Sequence, residues 1–284
     1  YNTPLEKYVD DKPYYIQKNG KYVVADMRQK PVFDSNISTI FPRMYSRENE
    51  HIEAYKQWAD IKGRKVSITD EDGQSKTIDV PTFGENLTFF FRYQVGHMYF
   101  RYFMWNFSGR QSDIQGNGEI SNGNWITGIN FIDSMRLGDQ KNLPQEFRNN
   151  KGHNAYYMLP FILGIIGIVF MYNRGIQGKK DLWTVFLLFF MTGLAIVIYL
   201  NQTPLQPRER DYAYAGSFYA YAIWIGIGVL GVYEALKKFL SDRNAAGVAS
   251  VLTLVLVPMI MAAQNWDDHD RSGRYTCRDF GANY

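Results

Sequence analysis

Four apolar stretches free of formal charge constrain this chain more than any other feature: Tyr156–Tyr172, Leu182–Leu200, Ala213–Tyr233 and Ala245–Ala263. Each runs 17 to 21 residues, the length an α-helix needs to cross roughly 30 Å of hydrocarbon. A lipid-embedded backbone must satisfy its own hydrogen bonds, so these stretches predict helices and exclude irregular structure. The expected fold class is an α-helical integral membrane protein with four transmembrane helices in residues 156–264. Residues 1–155 predict a mixed α+β extramembrane segment, and residues 265–284 the start of one more helix.

The connections between the stretches differ in charge. Arg174–Asp181 carries Arg174, Lys179 and Lys180, and Glu234–Asn244 carries Lys237, Lys238 and Arg243. Short loops rich in Lys and Arg stay on the cytoplasmic side. That rule sends residues 1–155, the loop Asn201–Tyr212 and the tail after Gln264 together to the outer side.

Composition narrows the classes. A net charge of +3 with no nucleic-acid motif gives no reason to expect nucleic acid. One cysteine, Cys277, excludes an internal disulfide and a thiolate metal cluster. Twenty-one tyrosines suit a protein with much surface at the membrane–water boundary. The chain starts without Met, and Arg271–Tyr284 reads as an unfinished helix with Tyr275 and Phe280 on one face. An internal section of a larger bundle is therefore expected.

Within the outer segment, Tyr22–Val24 is strand-like and Asp34–Ser38 reads as loop. Glu48–Ile61 has helical spacing, with Ile52, Tyr55 and Trp58 able to share a face. Val66–Thr69 and Thr77–Val80 flank Asp70–Ser75, which predicts a hairpin. Asn86–Phe107 is long enough for a helix of about 30 Å. It puts Phe89, Tyr93, Phe100 and Phe107 on one face and Gln94, His97 and Arg101 in a polar stripe. Two readings fit: an interfacial helix with Arg92 and Arg101 snorkelling to headgroups, or a stripe facing a lipid-linked substrate. Gly109–Asp133 follows, rich in Gly, Asn, Gln and Asp. Glu119, Asn122 and Asn124 offer partners for hydroxyls, and Trp125 a face for a sugar ring. Gly and Asn are equally ordinary turn residues.

Two charged clusters flank the apolar stretches. Arg208, Glu209, Arg210 and Asp211 stand directly before the third, where ionisable groups are costly and tend to be functional. Guanidinium groups bind phosphate bidentately, while the two acids would act as acid, base or metal ligand. A mutually neutralising surface cluster is the plainer alternative. Asp267, Asp268, His269 and Asp270 follow the fourth stretch. Carboxylates with one imidazole suit a divalent metal ion, and ion pairing with Arg271 and Arg274 is the alternative.

The runs FPRMYS (41–46), HMYFRYFMWNFSGRQSDIQGNGEISNGNW (97–125), NQTPLQPRERDYAYAGSFYAYAIWIG (201–226) and NWDDHDRSGRYT (265–276) resemble a large multi-span family of unknown function from the Bacteroides group. That family is described as protein O-mannosyltransferase-like and grouped with the GT-C glycosyltransferases. The resemblance implies a GT-C-like bundle in a bacterial inner membrane. It would transfer a sugar from a polyprenyl-phosphate donor to a periplasmic protein or glycan acceptor. It also implies that the main acidic catalytic residue stands on an early outer loop absent here, so this section alone would be inactive. On that reading Arg208 and Arg210 hold the donor phosphate, Glu209 and Asp211 orient them, and His97, Arg101, Glu119, Asn122, Asn124 and Trp125 contact substrate. A non-catalytic scaffold holding periplasmic partners is the competing reading.

Overall fold

The computed structural model describes residues 5–33, 37–46, 48–69, 75–206, 210–266 and 273–283. The described chain divides into two compact units, residues 1–94 with 201–206, and residues 95–200 with 207–284.

The first unit opens with an antiparallel hairpin, β1 (Leu5–Lys18) and β2 (Lys21–Phe33). Its turn is Asn19-Gly20, with φ of 52° and 75°, the doubly left-handed pair that matches strand twist. Helix α1 (Asn49–Ala59) follows and buries Ala54, Tyr55 and Ala59. Tyr55 meets Phe89 edge-on at 4.9 Å and Trp58 meets Tyr93 at 5.1 Å, so the expected apolar face of this helix is the packed one. A second hairpin, β3 (Arg64–Thr69) paired antiparallel with β4 (Ser75–Val80), forms where one is expected, with Ser75, expected in the turn, paired to Thr69. Its turn, including Asp72-Gly73, lies outside the described residues, as does most of Asp34–Ser38.

Thr82 and Glu85 form a capping box that starts α2 (Phe83–Phe89). The Glu85 carboxylate also accepts from the amides of Lys62 and Gly63 at 2.7 and 3.0 Å. Burial acts to raise its pKa, but these hydrogen bonds prevail and hold it below the usual range. The helical run then continues as a π-helix over Phe90–Phe100 and as α3 (Arg101–Phe107). The wider π turn breaks the 3.6-residue period on which the expected face depended. Phe89, Tyr93 and Phe107 are buried, whereas Phe100 is 42% exposed.

The second unit contains α3, a short pair β5 (Gly109–Arg110) and β6 (Asn154–Ala155), and the small helices α4 (Asn130–Leu137) and α5 (Gln145–Arg148) between them. The long helices come next: α6 (Leu159–Asn173), α7 (Gly175–Met191), α8 (Leu194–Leu200), α9 (Ala215–Leu236), α10 (Asp242–Leu254) and α11 (Ile260–Asn265). A π turn over Val255–Met259, containing Pro258, joins the last two.

Three helical runs, Gly175–Leu200, Tyr212–Leu236 and Asp242–Asn265, are long and apolar enough to cross a membrane. The first apolar stretch yields the shorter α6, of 15 residues. Tyr157 and Met158 both have positive φ, so the helix begins only at Leu159. At 1.5 Å per residue it reaches about 22 Å. Arg174–Asp181, expected as a loop, is helical from Gly175, which puts Lys179 and Lys180 on the first turns of α7. Trp183, Phe186, Leu187, Leu188 and Met191 on α7 are exposed. A short helix, α12 (Thr276–Ala282), lies within the predicted tail helix, with Tyr275 at its N-cap.

Glycines set the spacing of α6 against α9. A β-carbon at Gly167 would fall on the Trp224 carbonyl oxygen, and one at Gly228 on the Leu163 carbonyl oxygen. Small residues of this kind let membrane helices pack backbone to backbone. Phe103, Met104 and Phe107 of α3 join Met171, Tyr221 and Trp224 in the core of this unit.

Candidate functional site

Helix α3 and the π turn before it present the two basic residues of the predicted stripe to one loop. The Arg101 side chain is 3% exposed. Its Nε donates to the His97 carbonyl at 2.9 Å and its Nη1 to the Gly123 carbonyl at 2.6 Å. Its guanidinium also lies 4.9 Å from the ring centres of Tyr102 and Trp105. Arg101 therefore faces inward and does not snorkel. Arg92 is exposed.

His97 Nε2 lies 3.0 Å from the Gly116 carbonyl oxygen. A carbonyl only accepts, so a hydrogen sits on Nε2. Burial, reinforced by the Arg101 charge, holds the His97 pKa down at about 3, against the upward pull of the Gly116 bond. An unfolded histidine takes a proton near pH 6.5. Stability from this group is thus complete above pH 6.5 and declines as pH falls from 6.5 toward 3, because only the unfolded chain is protonated there. Thermal unfolding in detergent is expected to show a loss on the order of 1–2 kcal/mol between pH 7 and pH 5. His97→Gln keeps a donor for Gly116 and is expected to remove that dependence; an unchanged pH profile in the variant would exclude His97 as its source.

The Gly- and Asn-rich loop is built from its own side chains. Asn124 Nδ2 bridges Gln111 Oε1 at 2.9 Å and the Glu119 carbonyl at 2.7 Å. Asn122 donates to the Gln115 carbonyl and accepts from the Ser121 hydroxyl. Glu119, exposed, accepts from the Asn117 amide at 2.6 Å. The Arg136 guanidinium lies 3.6 Å from the centre of the Trp125 ring and covers that face, and Phe100 meets the ring edge-on. Asp133, buried, binds the Thr127 and Gly128 amides at 2.8 Å each and closes the loop.

Three segments meet at one end of this helical unit. Tyr99, between His97 and Arg101, donates to Ser217 Oγ at 3.1 Å and packs edge-on against Tyr214 at 5.4 Å. Tyr214 ends the 3₁₀ turn that begins at Asp211, and Arg210 caps that turn by accepting from the Ala213 amide. Asn265 at the end of α11 donates to the Tyr156 hydroxyl at 2.7 Å, and its amide meets that of Asn154 at 3.1 Å. The starts of α6 and α9 and the end of α11 therefore share an end. Arg208, Glu209, Asp267, Asp268, His269 and Asp270 lie outside the described residues, and of Asp211 only the backbone is described. Among the described residues no group of three or more His, Cys, Asp or Glu is placed to hold a metal ion.

Two features escaped sequence reasoning. In the first unit, Asn201 Nδ2 donates to the Arg43 carbonyl at 2.9 Å, and Gln94 Nε2 donates to Asn201 Oδ1 and the Gln202 carbonyl. Met44 in turn donates to Asn86 Oδ1 at 2.7 Å. FPRMYS and NQTP, both marked by the resemblance, are thus stitched together. The same unit holds a cavity of about 230 Å³ lined by Arg43, Tyr45, Tyr55, Ile78 and Asn86. Nothing in the local spacing of these residues announces either contact.

Residues 1–91 match DUF8416, a family of unknown function. The match takes in both hairpins, α1 and α2, and leaves the long apolar helices outside it. The family's description carries no activity. No curated protein and no solved structure matches the chain.

Proposed function

We propose that this chain is a section of a multi-span membrane protein that transfers a sugar from a polyprenyl-phosphate donor to a periplasmic protein or glycan acceptor. The observation that carries the reading is the convergence at one end of the helical unit. The loop held by His97 and Arg101, the turn starting at Arg210 and the end of α11 all reach it. On this reading that end faces the periplasm, and the basic turns at Arg174–Lys180 and Lys237–Arg243 face the cytoplasm, as their charge favours.

Arg208 and Arg210 neutralise the charge that develops on the leaving phosphate, which is electrostatic catalysis. Glu209 and Asp211 orient them. Asp267, Asp268, His269 and Asp270 are where a divalent ion would be held, and its contribution would be to bind phosphate oxygen. Since the Glu119, Asn122 and Asn124 side chains are engaged within their own loop, their part is to shape the floor of the site. The scaffold reading draws its support from that same self-satisfied loop, which leaves few polar groups to spare for a sugar.

The deciding experiment uses the full-length protein in its own cells. Arg208→Ala with Arg210→Ala, at normal membrane abundance, is expected to remove the same periplasmic glycans that a deletion removes. Each charge-assisted contact to phosphate is worth about 1.5–3 kcal/mol, so residual transfer should be below about one hundredth. Glycans unchanged in the deletion strain would decide for the scaffold.

A further inference from the structure

The β1–β2 hairpin stands apart in its exposure. Every residue from Tyr14 to Lys30 is exposed, so among the described residues no layer covers either face there. A two-stranded hairpin without a packed face is marginal in water, and this one spends large apolar groups on solvent: Tyr15 is 55% exposed, Val24 54% and Tyr22 75%.

The register sorts those groups. Pro13↔Met27, Tyr15↔Val24 and Gln17↔Tyr22 are alternate pairs on one face, and none of these six residues carries a formal charge. Tyr14↔Asp26, Ile16↔Val23 and Lys18↔Lys21 share the other. Arg28 lies over the Tyr14 ring on that side, 5.9 Å from its centre. The last pair before the turn sets two lysines directly opposite each other, an arrangement that is destabilising unless an anion sits by it. From the Val9↔Lys30 rung to the turn there are five cations, Lys12, Lys18, Lys21, Arg28 and Lys30, against the carboxylates of Asp10, Asp11 and Asp26; on the turn side of Pro13↔Met27 the charges are Lys18, Lys21 and Asp26 alone.

Strand addition is a poor fit, because each strand carries a proline, Pro13 or Pro31, and the ladder has register shifts. What suits the tip is a surface that is anionic and also accepts aromatic rings at its boundary. An anionic lipid headgroup layer is such a surface. We propose that the hairpin docks end-on into anionic headgroups. Lys18 and Lys21 would sit on headgroup phosphate, and Tyr15, Tyr22 and Val24 at the edge of the acyl region. The proposal rests on the reading of this chain as a membrane protein.

The test uses the full chain in nanodiscs with Cys277→Ser, so that an introduced Gln17→Cys carries the one environment-sensitive fluorophore. A blue shift is expected in discs of phosphatidylcholine with phosphatidylglycerol, and not in phosphatidylcholine alone. High salt should reverse it, and Lys18→Gln with Lys21→Gln should abolish it. No shift in the anionic discs overturns the proposal. So does an equal shift in neutral discs, which would mean insertion without charge. A shift produced by inorganic phosphate in neutral discs would assign the lysines to a free anion. One that grows with protein concentration in detergent would assign the face to a second copy. The same label at Val248→Cys on α10 distinguishes docking of the hairpin from immersion of the long helices. Immersion there without a shift at position 17 sinks the hairpin proposal alone, while a water-exposed label at both sinks the membrane reading with it.

Discussion

Gly167→Ala is expected to cost the protein its folded helical unit. The added methyl would fall inside the Trp224 carbonyl oxygen and against the Gly228 amide nitrogen. Both are backbone atoms of α9, so no rotamer change relieves the contact. Overpacking into yielding side chains typically costs about 1–3 kcal/mol; a clash between two backbones should exceed that range. The whole α6–α9 seam would have to open, including the bond from the Tyr221 hydroxyl to the Phe161 carbonyl at 2.7 Å. Gly247→Ala on α10, where nothing lies within 4 Å of the added carbon, is the control and should be neutral or slightly stabilising. Size-exclusion profiles of fluorescently tagged protein in mild detergent would show loss of the monodisperse peak for the first change only. A normal peak for Gly167→Ala would mean that the two helices do not approach as described.

Arg101→Ala is expected to release the loop of residues 109–128. Arg101 supplies charged donors to the His97 and Gly123 carbonyls and fills space between Tyr102 and Trp105. With hydrogen bonds to charged groups worth about 1.5–3 kcal/mol each, the loss should reach about 3–5 kcal/mol. Amide exchange is expected to rise across Gly116–Trp125 before it rises in the long helices, since loops open at lower cost than packed helices. Lys, with one short point charge, cannot reproduce the two-carbonyl contact, and should recover only part of the protection. Uniform exchange across the unit would show that Arg101 holds the whole fold and not the loop.

Hydropathy made the long helices readable, because charge-free runs of this length have few other outcomes. Its limits show at Tyr156–Tyr172, where two left-handed residues shorten the helix although their apolarity is the same as that of their neighbours. The stripe Gln94–His97–Arg101 was readable as polar residues in a helical run. What it faces was not, since Gly116 and Gly123 contribute carbonyl groups, and backbone acceptors leave no mark on a sequence. The π turn had the same effect on Phe100, which a 3.6-residue count places inside. Asn201 and Arg43 meet across 158 positions, and no local rule reaches that far. The charged clusters 208–209 and 267–270 are visible in the sequence by composition alone.

The stitching of residues 201–206 into the first unit has a consequence for the order in which the chain is made. Gln94 is 1% exposed, and its amide depends on Asn201 and Gln202 for partners. Until the ribosome has delivered those residues, the Gln94 side-chain amide cannot make the two hydrogen bonds that hold it in the folded unit. At roughly 5–20 residues per second, the wait from Gln94 to Gln206 lasts on the order of 6–20 seconds. The segment that begins the chain is therefore completed late, after α6, α7 and α8 have already been synthesised.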